Sequence, residues 1–183
     1  MKRKIIIIGK AASGKDYFQK CLVEEGWIPL RQYTTRPKRP TEVGNEYHFV
    51  TEEEFDDISH NLISVQNFNG WKYGFDISEM VLSDVMIFSP ANLFDMKKSS
   101  DIRIQQFMRD TVIIYLDIGE EVRRERLSVR YVGGKEDDSL ERRLWADAND
   151  FEFFDNNDWG DKPNFVRLFN KEEVDIFLEK LLS

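Results

Sequence analysis

The chain has 183 residues, 41% of them hydrophobic and 33% charged, which suits one domain with a substantial core and argues against disorder. Its formal net charge of −8 disfavours broad binding along a nucleic-acid backbone, so no nucleic-acid partner is expected. The single cysteine, Cys21, excludes an internal disulfide framework and fits a reducing compartment.

In chain order, Lys2-Arg3-Lys4 leads into only four isoleucines, too short a stretch for a signal-peptide core or a membrane span. A cytoplasmic protein without a membrane partner is expected. Ile5 to Ile8 read as a strand buried on both faces, as in a parallel sheet. Gly9-Lys10-Ala11-Ala12-Ser13-Gly14-Lys15 follows, the G-x-x-x-x-G-K pattern of a phosphate-binding loop. Gly9 and Gly14 admit backbone angles that other residues resist, so the amides through Ala12 and Ser13 curl round a phosphate. Lys15 adds a point charge, and the helix that follows adds its dipole. Asp16 stands where this pattern normally has a Ser or Thr near Mg²⁺; as a hard oxygen ligand it is the candidate metal residue, directly or through water. These residues imply a nucleotide-binding protein.

Asp16 to Glu25 spaces Phe18, Cys21 and Leu22 along one helical face, closed by Gly26. The prolines of Tyr33-Thr34-Thr35-Arg36-Pro37-Lys38-Arg39-Pro40 forbid a helix, and they set three cations close together on a stiff loop. Such a cluster suits a dianionic phosphate, because arginine presents a planar fork; a solvated basic loop is the alternative. Glu46 to Val50 reads as a short strand, Thr51 to Glu54 as a capping box, and Leu62–Phe68 with Trp71–Phe75 as a hairpin turned at Asn69-Gly70. A polar helix from about Ser78 leads to a buried strand at Val85–Phe88. Thr111–Leu116 and Phe165–Phe169 are further strands, the last before an amphipathic helix carrying Val174, Phe177, Leu178 and Leu181. Strands alternating with helices predict an α/β fold of three layers around a parallel sheet. The stretch from about Gln32 to Ser83 interrupts it with antiparallel material.

Taken together, these pieces resemble the guanylate kinase family of P-loop nucleoside monophosphate kinases. The most specific stretch is Thr34-Thr35-Arg36 with Arg39, Glu42-Val43 and Tyr47-His48-Phe49-Val50. The resemblance implies a core over residues 1–31, 84–125 and 148–183, a monophosphate-binding subdomain over 32–83 and a helical lid over 126–147. It implies that Arg36, Arg39, Tyr47 and Tyr73 hold an acceptor phosphate. It also implies that Arg130 and Arg143, supported by Arg126, close over the transferring phosphate with Lys15. Asn170 falls where the family places a residue beside the donor base. ATP and Mg²⁺ are the implied cofactors, and a monomer or homodimer acting on a small phosphorylated molecule is expected.

The chain departs from that family where the acceptor base is read. Ser64 stands in place of an acidic residue, Phe88-Ser89-Pro90 in place of an Asp-x-Asp segment, and Phe75 in place of a small hydroxyl. Guanine offers N1–H and N2–H₂ donors, and leaving such donors unpaired in a buried site costs about 1–3 kcal/mol each. The expectation is ATP-dependent phosphoryl transfer to a nucleoside monophosphate with a preference altered from GMP, with Gln66 and Asn67 as replacement readers. A kinase of a phosphorylated sugar and a non-catalytic binding module are the alternatives.

Overall fold

The computed structural model describes residues 3–38, 47–68, 70–130, 140–155 and 164–183; the side chains of residues 68, 130, 140, 142, 143, 153 and 155 lie outside that description. The chain runs β1 (Lys4–Gly9), α1 (Lys15–Glu24), β2 (Gln32–Thr34), β3 (Tyr47–Phe49), α2 (Glu52–Ile58), β4 (Leu62–Phe68), β5 (Trp71–Asp76) and α3 (Ile77–Leu82). It continues with β6 (Val85–Ile87), α4 (Pro90–Lys98), α5 (Ile102–Asp110), β7 (Thr111–Leu116), α6 (Glu120–Arg130), α7 (Leu140–Asp155), β8 (Phe165–Leu168) and α8 (Lys171–Leu182).

One sheet is wholly parallel, in the order β6-β1-β7-β8. Its central strand is the isoleucine run, and alternation sends consecutive side chains to opposite faces. Ile6 and Ile8 pack with Met86, Tyr115, Leu93 of α4, Phe107 of α5 and Phe151 of α7. Ile5 and Ile7 pack with Phe18 and Leu22 of α1 and Val174 and Leu178 of α8. Helices therefore cover both faces, and each buried isoleucine contributes roughly 1.5–3 kcal/mol relative to exposure. Strand order reverses at β1, with β6 on one side and β7 on the other, so the loops leaving β1, β6 and β7 share one crevice at the C-terminal edge.

The second sheet has the order β3-β2-β5-β4. β5 is antiparallel to β2 and to β4, as expected, but β2 and β3 run parallel, pairing Gln32 with Tyr47 and Thr34 with Phe49. The inserted material is thus a mixed sheet. The long connection over residues 35–46 separates β2 from β3, and parallel neighbours need a crossover of that kind. The capping box is present: Thr51 accepts from the Glu54 amide while Glu54 accepts from the Thr51 amide. The hairpin is also present, with Gly70 at φ +82°; Asn69 lies outside the described residues.

Candidate active site

Gly9 ends β1 against the backbone of β7. A Cβ there would meet Ser13 Oγ at 2.4 Å and Leu116 O at 2.9 Å, so only glycine fits. The chain then turns through Ala12 at φ +57° and Gly14 at φ +105°, and Gly14 caps α1. Both are left-handed conformations, which glycine adopts without strain and alanine does not. Lys15 Nζ lies over this turn and donates to Gly9 O at 2.6 Å and Lys10 O at 3.0 Å. From α6, Arg126 Nη1 donates to Ala12 O at 2.9 Å. The loop therefore carries two cations at its surface. Inside it, Ser13 Oγ is buried without a hydrogen-bond partner among the described residues. A loop with an orphaned hydroxyl, inward-curling amides and two cations fits an oligophosphate.

Asp16 lies exposed in the first turn of α1. Among the described residues no group of three or more His, Cys, Asp or Glu side chains could cage a metal ion. Asp16 is the carboxylate at this loop, and Mg²⁺ is commonly held by one or two carboxylates with substrate phosphates and water. Beside the loop is a cavity of about 220 Å³ lined by Gly14, Tyr17, Ile118, Arg126, Lys171 and Val174, among others. Asn170 does not turn into it. Its Oδ1 accepts from the Glu173 amide and its Nδ2 donates to Glu173 Oε1, both at 2.9 Å, which makes it the cap of α8. Lys171, the next residue, lines the cavity instead.

A second cationic centre lies on the mixed sheet. Arg36 is only 5% exposed, its backbone amide bonded to Thr34 Oγ1 and its Nη1 to Pro37 O. Its guanidinium stands 5.3 Å from the Tyr47 ring centroid and 5.4 Å from that of Phe49. Tyr73 lies opposite Thr34 in the β2–β5 register and meets Tyr47 edge-on at 6.3 Å. Arg36 and Tyr47 therefore meet directly, and Tyr73 joins them through the Tyr47 ring. Arg39 lies outside the described residues.

At the neighbouring end of this sheet the carboxylate comes from α4, as Asp95, and not from β4. Ser64 sits in a break of the β4–β5 register at φ +50°. Its Oγ donates to Asp95 Oδ2 at 2.6 Å and accepts from Asn92 Nδ2 at 2.9 Å, with Gln66 Nε2 at 3.5 Å. Sequence reasoning missed Asn92 and Asp95, although their spacing of three places them on one face of a helix. Asn67 is exposed and takes no part in these bonds. Phe75 and Phe88 are both buried here and pack on each other.

The lid arginines divide by environment. Arg126 reaches the loop. Arg124 pairs with Glu120 and Glu141 on the surface. Arg123, on the same helix, is 5% exposed and holds Ile118 O and Asp147. It shares a face with the buried Leu127, four residues on, and that spacing turns it inward. Arg130 ends α6 and Arg143 lies in the first turn of α7, their side chains outside the description.

A parallel sheet with helices on both faces, its central strand running through this loop into a helix, defines the P-loop kinase fold. The guanylate kinase family profile matches residues 1–154. The chain belongs to the guanylate kinase family, and by class it is a nucleotide kinase. The guanylate kinase of Anaplasma phagocytophilum superposes with a TM-score of 0.59 at 18% identity, covering 99% of this chain and 84% of that one. The shikimate kinase of Bacteroides thetaiotaomicron gives 0.47 at 15% identity, covering 98% and 95%. The deoxyadenosine kinase of M. mycoides with bound dCTP gives 0.45 at 14% identity, covering 97% and 98%. No curated protein matches the chain in sequence. No helix among the described residues is long and apolar enough to cross a membrane.

Proposed function

We propose that this chain is a nucleoside monophosphate kinase that transfers the γ-phosphate of ATP to a small phosphorylated acceptor other than GMP. The observation that carries this reading is the pairing of two separate phosphate-type centres: the Gly9–Lys15 loop with Arg126, and the Arg36–Tyr47–Tyr73 cluster. Phosphoryl transfer asks mainly for positioning and charge neutralisation, which arginine, lysine and loop amides supply. Gly9, Ala12, Ser13, Gly14 and Lys15 hold the donor phosphates. Arg36, Tyr47 and Tyr73, with Arg39, hold the acceptor. An oxygen of the acceptor's phosphate forms the new P–O bond as the bond to the β–γ bridging oxygen breaks, giving ADP. Asp16 would hold Mg²⁺, which would supply further neutralisation of the donor charge. Arg126, with Arg130 and Arg143, is the lid set that compensates charge on the moving group and excludes water. Residues 32–83 act as the acceptor subdomain and 126–147 as the lid, in a cytoplasmic monomer or homodimer.

The altered preference rests on the base end. Buried Phe75 and Phe88 offer no acceptor to guanine's donors, and Ser64 is engaged with Asn92 and Asp95. The polar groups at the base end are Ser64, Gln66 and Asn92, hydroxyl and amides that both donate and accept, and the Asp95 carboxylate, which takes the Ser64 hydroxyl.

The test is ATP-to-ADP turnover over ribo- and deoxyribonucleoside monophosphates and ribose phosphates, with Lys15→Ala as control. Lysine-dependent turnover of an acceptor other than GMP is expected; a ribose phosphate would select the sugar kinase. Turnover of GMP alone would refute the altered base site. Folded protein that turns over nothing would leave the binding module.

A further inference from the structure

The peptide joining Lys10 to Ala11 is held at both ends. Its carbonyl, Lys10 O, accepts from Lys15 Nζ at 3.0 Å and from the Ser13 amide at 3.2 Å. Its N–H donates to Asp147 Oδ2 at 2.8 Å, a bond that crosses from the phosphate loop to α7. The same carboxylate oxygen accepts from Arg123 Nη1 at 3.1 Å, and Arg123 Nε is tied to Ile118 O at 3.0 Å. Both partners are largely buried, with side-chain exposures of 6% for Arg123 and 16% for Asp147. One turn along α6, Arg126 takes Ala12 O, the second carbonyl after Lys10 O. Asp150, one turn along α7, has its carboxyl pushed up by burial and then by the charge of Asp147.

A bare carboxylate beside a phosphate-binding loop would repel its ligand. Here Arg123 offsets that charge at contact distance, while the carboxylate keeps a strong, charge-assisted hold on a loop amide. Lys15 and Asp147 act on opposite ends of one peptide unit. Were Lys15 to turn to donor phosphates it would give up Lys10 O, leaving the Ser13 amide on the carbonyl and Asp147 on the N–H to keep the peptide in register.

We propose that Asp147 is a positioning residue for the donor phosphates: backed by Arg123, it fixes the Lys10–Ala11 peptide so that the loop stays in its phosphate-binding shape. The inference rests on the reading of this loop as the ATP site. It predicts an effect confined to the donor, because Asp147 touches nothing in the Arg36–Tyr47–Tyr73 cluster.

The experiment is equilibrium binding of MgATP by calorimetry, with separate KM values for ATP and acceptor and a melting temperature for each variant. Asp147→Ala is expected to weaken ATP binding about tenfold, the scale of a lost hydrogen bond to a charged group, with the acceptor KM within about twofold. Asp147→Asn, whose amide oxygen still accepts from Ala11, is expected to stay within about threefold of wild type. Because Asp147→Ala leaves Arg123 buried alone, the pair Arg123→Met with Asp147→Leu removes both charges together, a replacement that folded proteins tolerate. It is expected to melt near wild type and still bind ATP about tenfold more weakly. Folded variants that bind ATP as wild type does would overturn the inference, as would equal losses toward donor and acceptor. Wild-type protein that binds no MgATP would overturn the donor site itself, and the inference with it.

Discussion

Phe75 and Phe88 lie with ring centroids 4.8 Å apart and planes tilted by 49°, joining the mixed sheet to the end of β6. They are 1% and 2% exposed and belong to the core cluster that includes Ile8, Met80 and Phe151. Two positions that the resemblance assigns to reading guanine are thus core residues here. Phe88→Ala is expected to cost about 3–5 kcal/mol of unfolding free energy in urea titration, the range for truncating a buried aromatic. A loss below about 1 kcal/mol would mean the rings are not packed as described.

Gly9 gives a sharper test of the phosphate loop. Gly9→Ala drives a methyl into Ser13 Oγ and Leu116 O, and the backbone oxygen cannot swing aside. Overpacking of this kind costs about 1–3 kcal/mol, and MgATP affinity should fall by at least about tenfold as the loop shifts. Gly119→Ala is the control: nothing lies within 4 Å of its added Cβ, so a change within about 0.5 kcal/mol is expected.

Arg36→Lys separates the two phosphate centres. Lysine keeps the charge but loses the planar fork and its stacking on Tyr47 and Phe49. Acceptor KM should rise about tenfold or more while ATP KM stays within about twofold. Equal rises in both would show that Arg36 supports the fold rather than the acceptor.

Tyr33 carries a pH signature. Burial, then the hydrogen bond to Glu79 and the charge of Glu79, raise its phenol from 10.0 to about 12. A raised value means the folded state binds the proton more tightly. The stabilisation is therefore full below about pH 10 and is lost as pH climbs toward about 12. Absorbance titration at alkaline pH should show a late tyrosine component that Tyr33→Phe diminishes; a late component unchanged in Tyr33→Phe would refute it. The Tyr33 ring also stacks on His48, whose Nε2 sits 3.0 Å from Glu79, so this histidine belongs to a contact between β3 and α3.

What the sequence disclosed was local. A run of isoleucines and two glycines at fixed spacing specify strand and loop within a dozen residues, and β1 to α1 follows that reading. The hairpin and capping box are equally local. The helices α4 and α5 were not resolved individually, although Ser89 and Asn92 form a capping box around Pro90 and Asp101 caps α5. The base end hid for another reason: Ser64 lies 28 residues from Asn92 and 31 from Asp95, and no pattern in one chain announces such a meeting. The same holds for Arg126 with Ala12, 114 residues apart. Arg123 is different: its spacing from the buried Leu127, four residues on, marks the inward face within a single helix.

Ser64 serves Asn92, Asp95 and Gln66 through a single hydroxyl, in a backbone conformation that serine rarely adopts. An evolving population therefore meets a barrier at this position. Changing Ser64 alone strands the Asn92 amide and brings Asp95 no new partner, so a drift in acceptor choice must pass through coupled substitutions on β4 and α4. Laboratory evolution of a new specificity should accordingly recover pairs across that seam, and libraries that vary one strand at a time should stall.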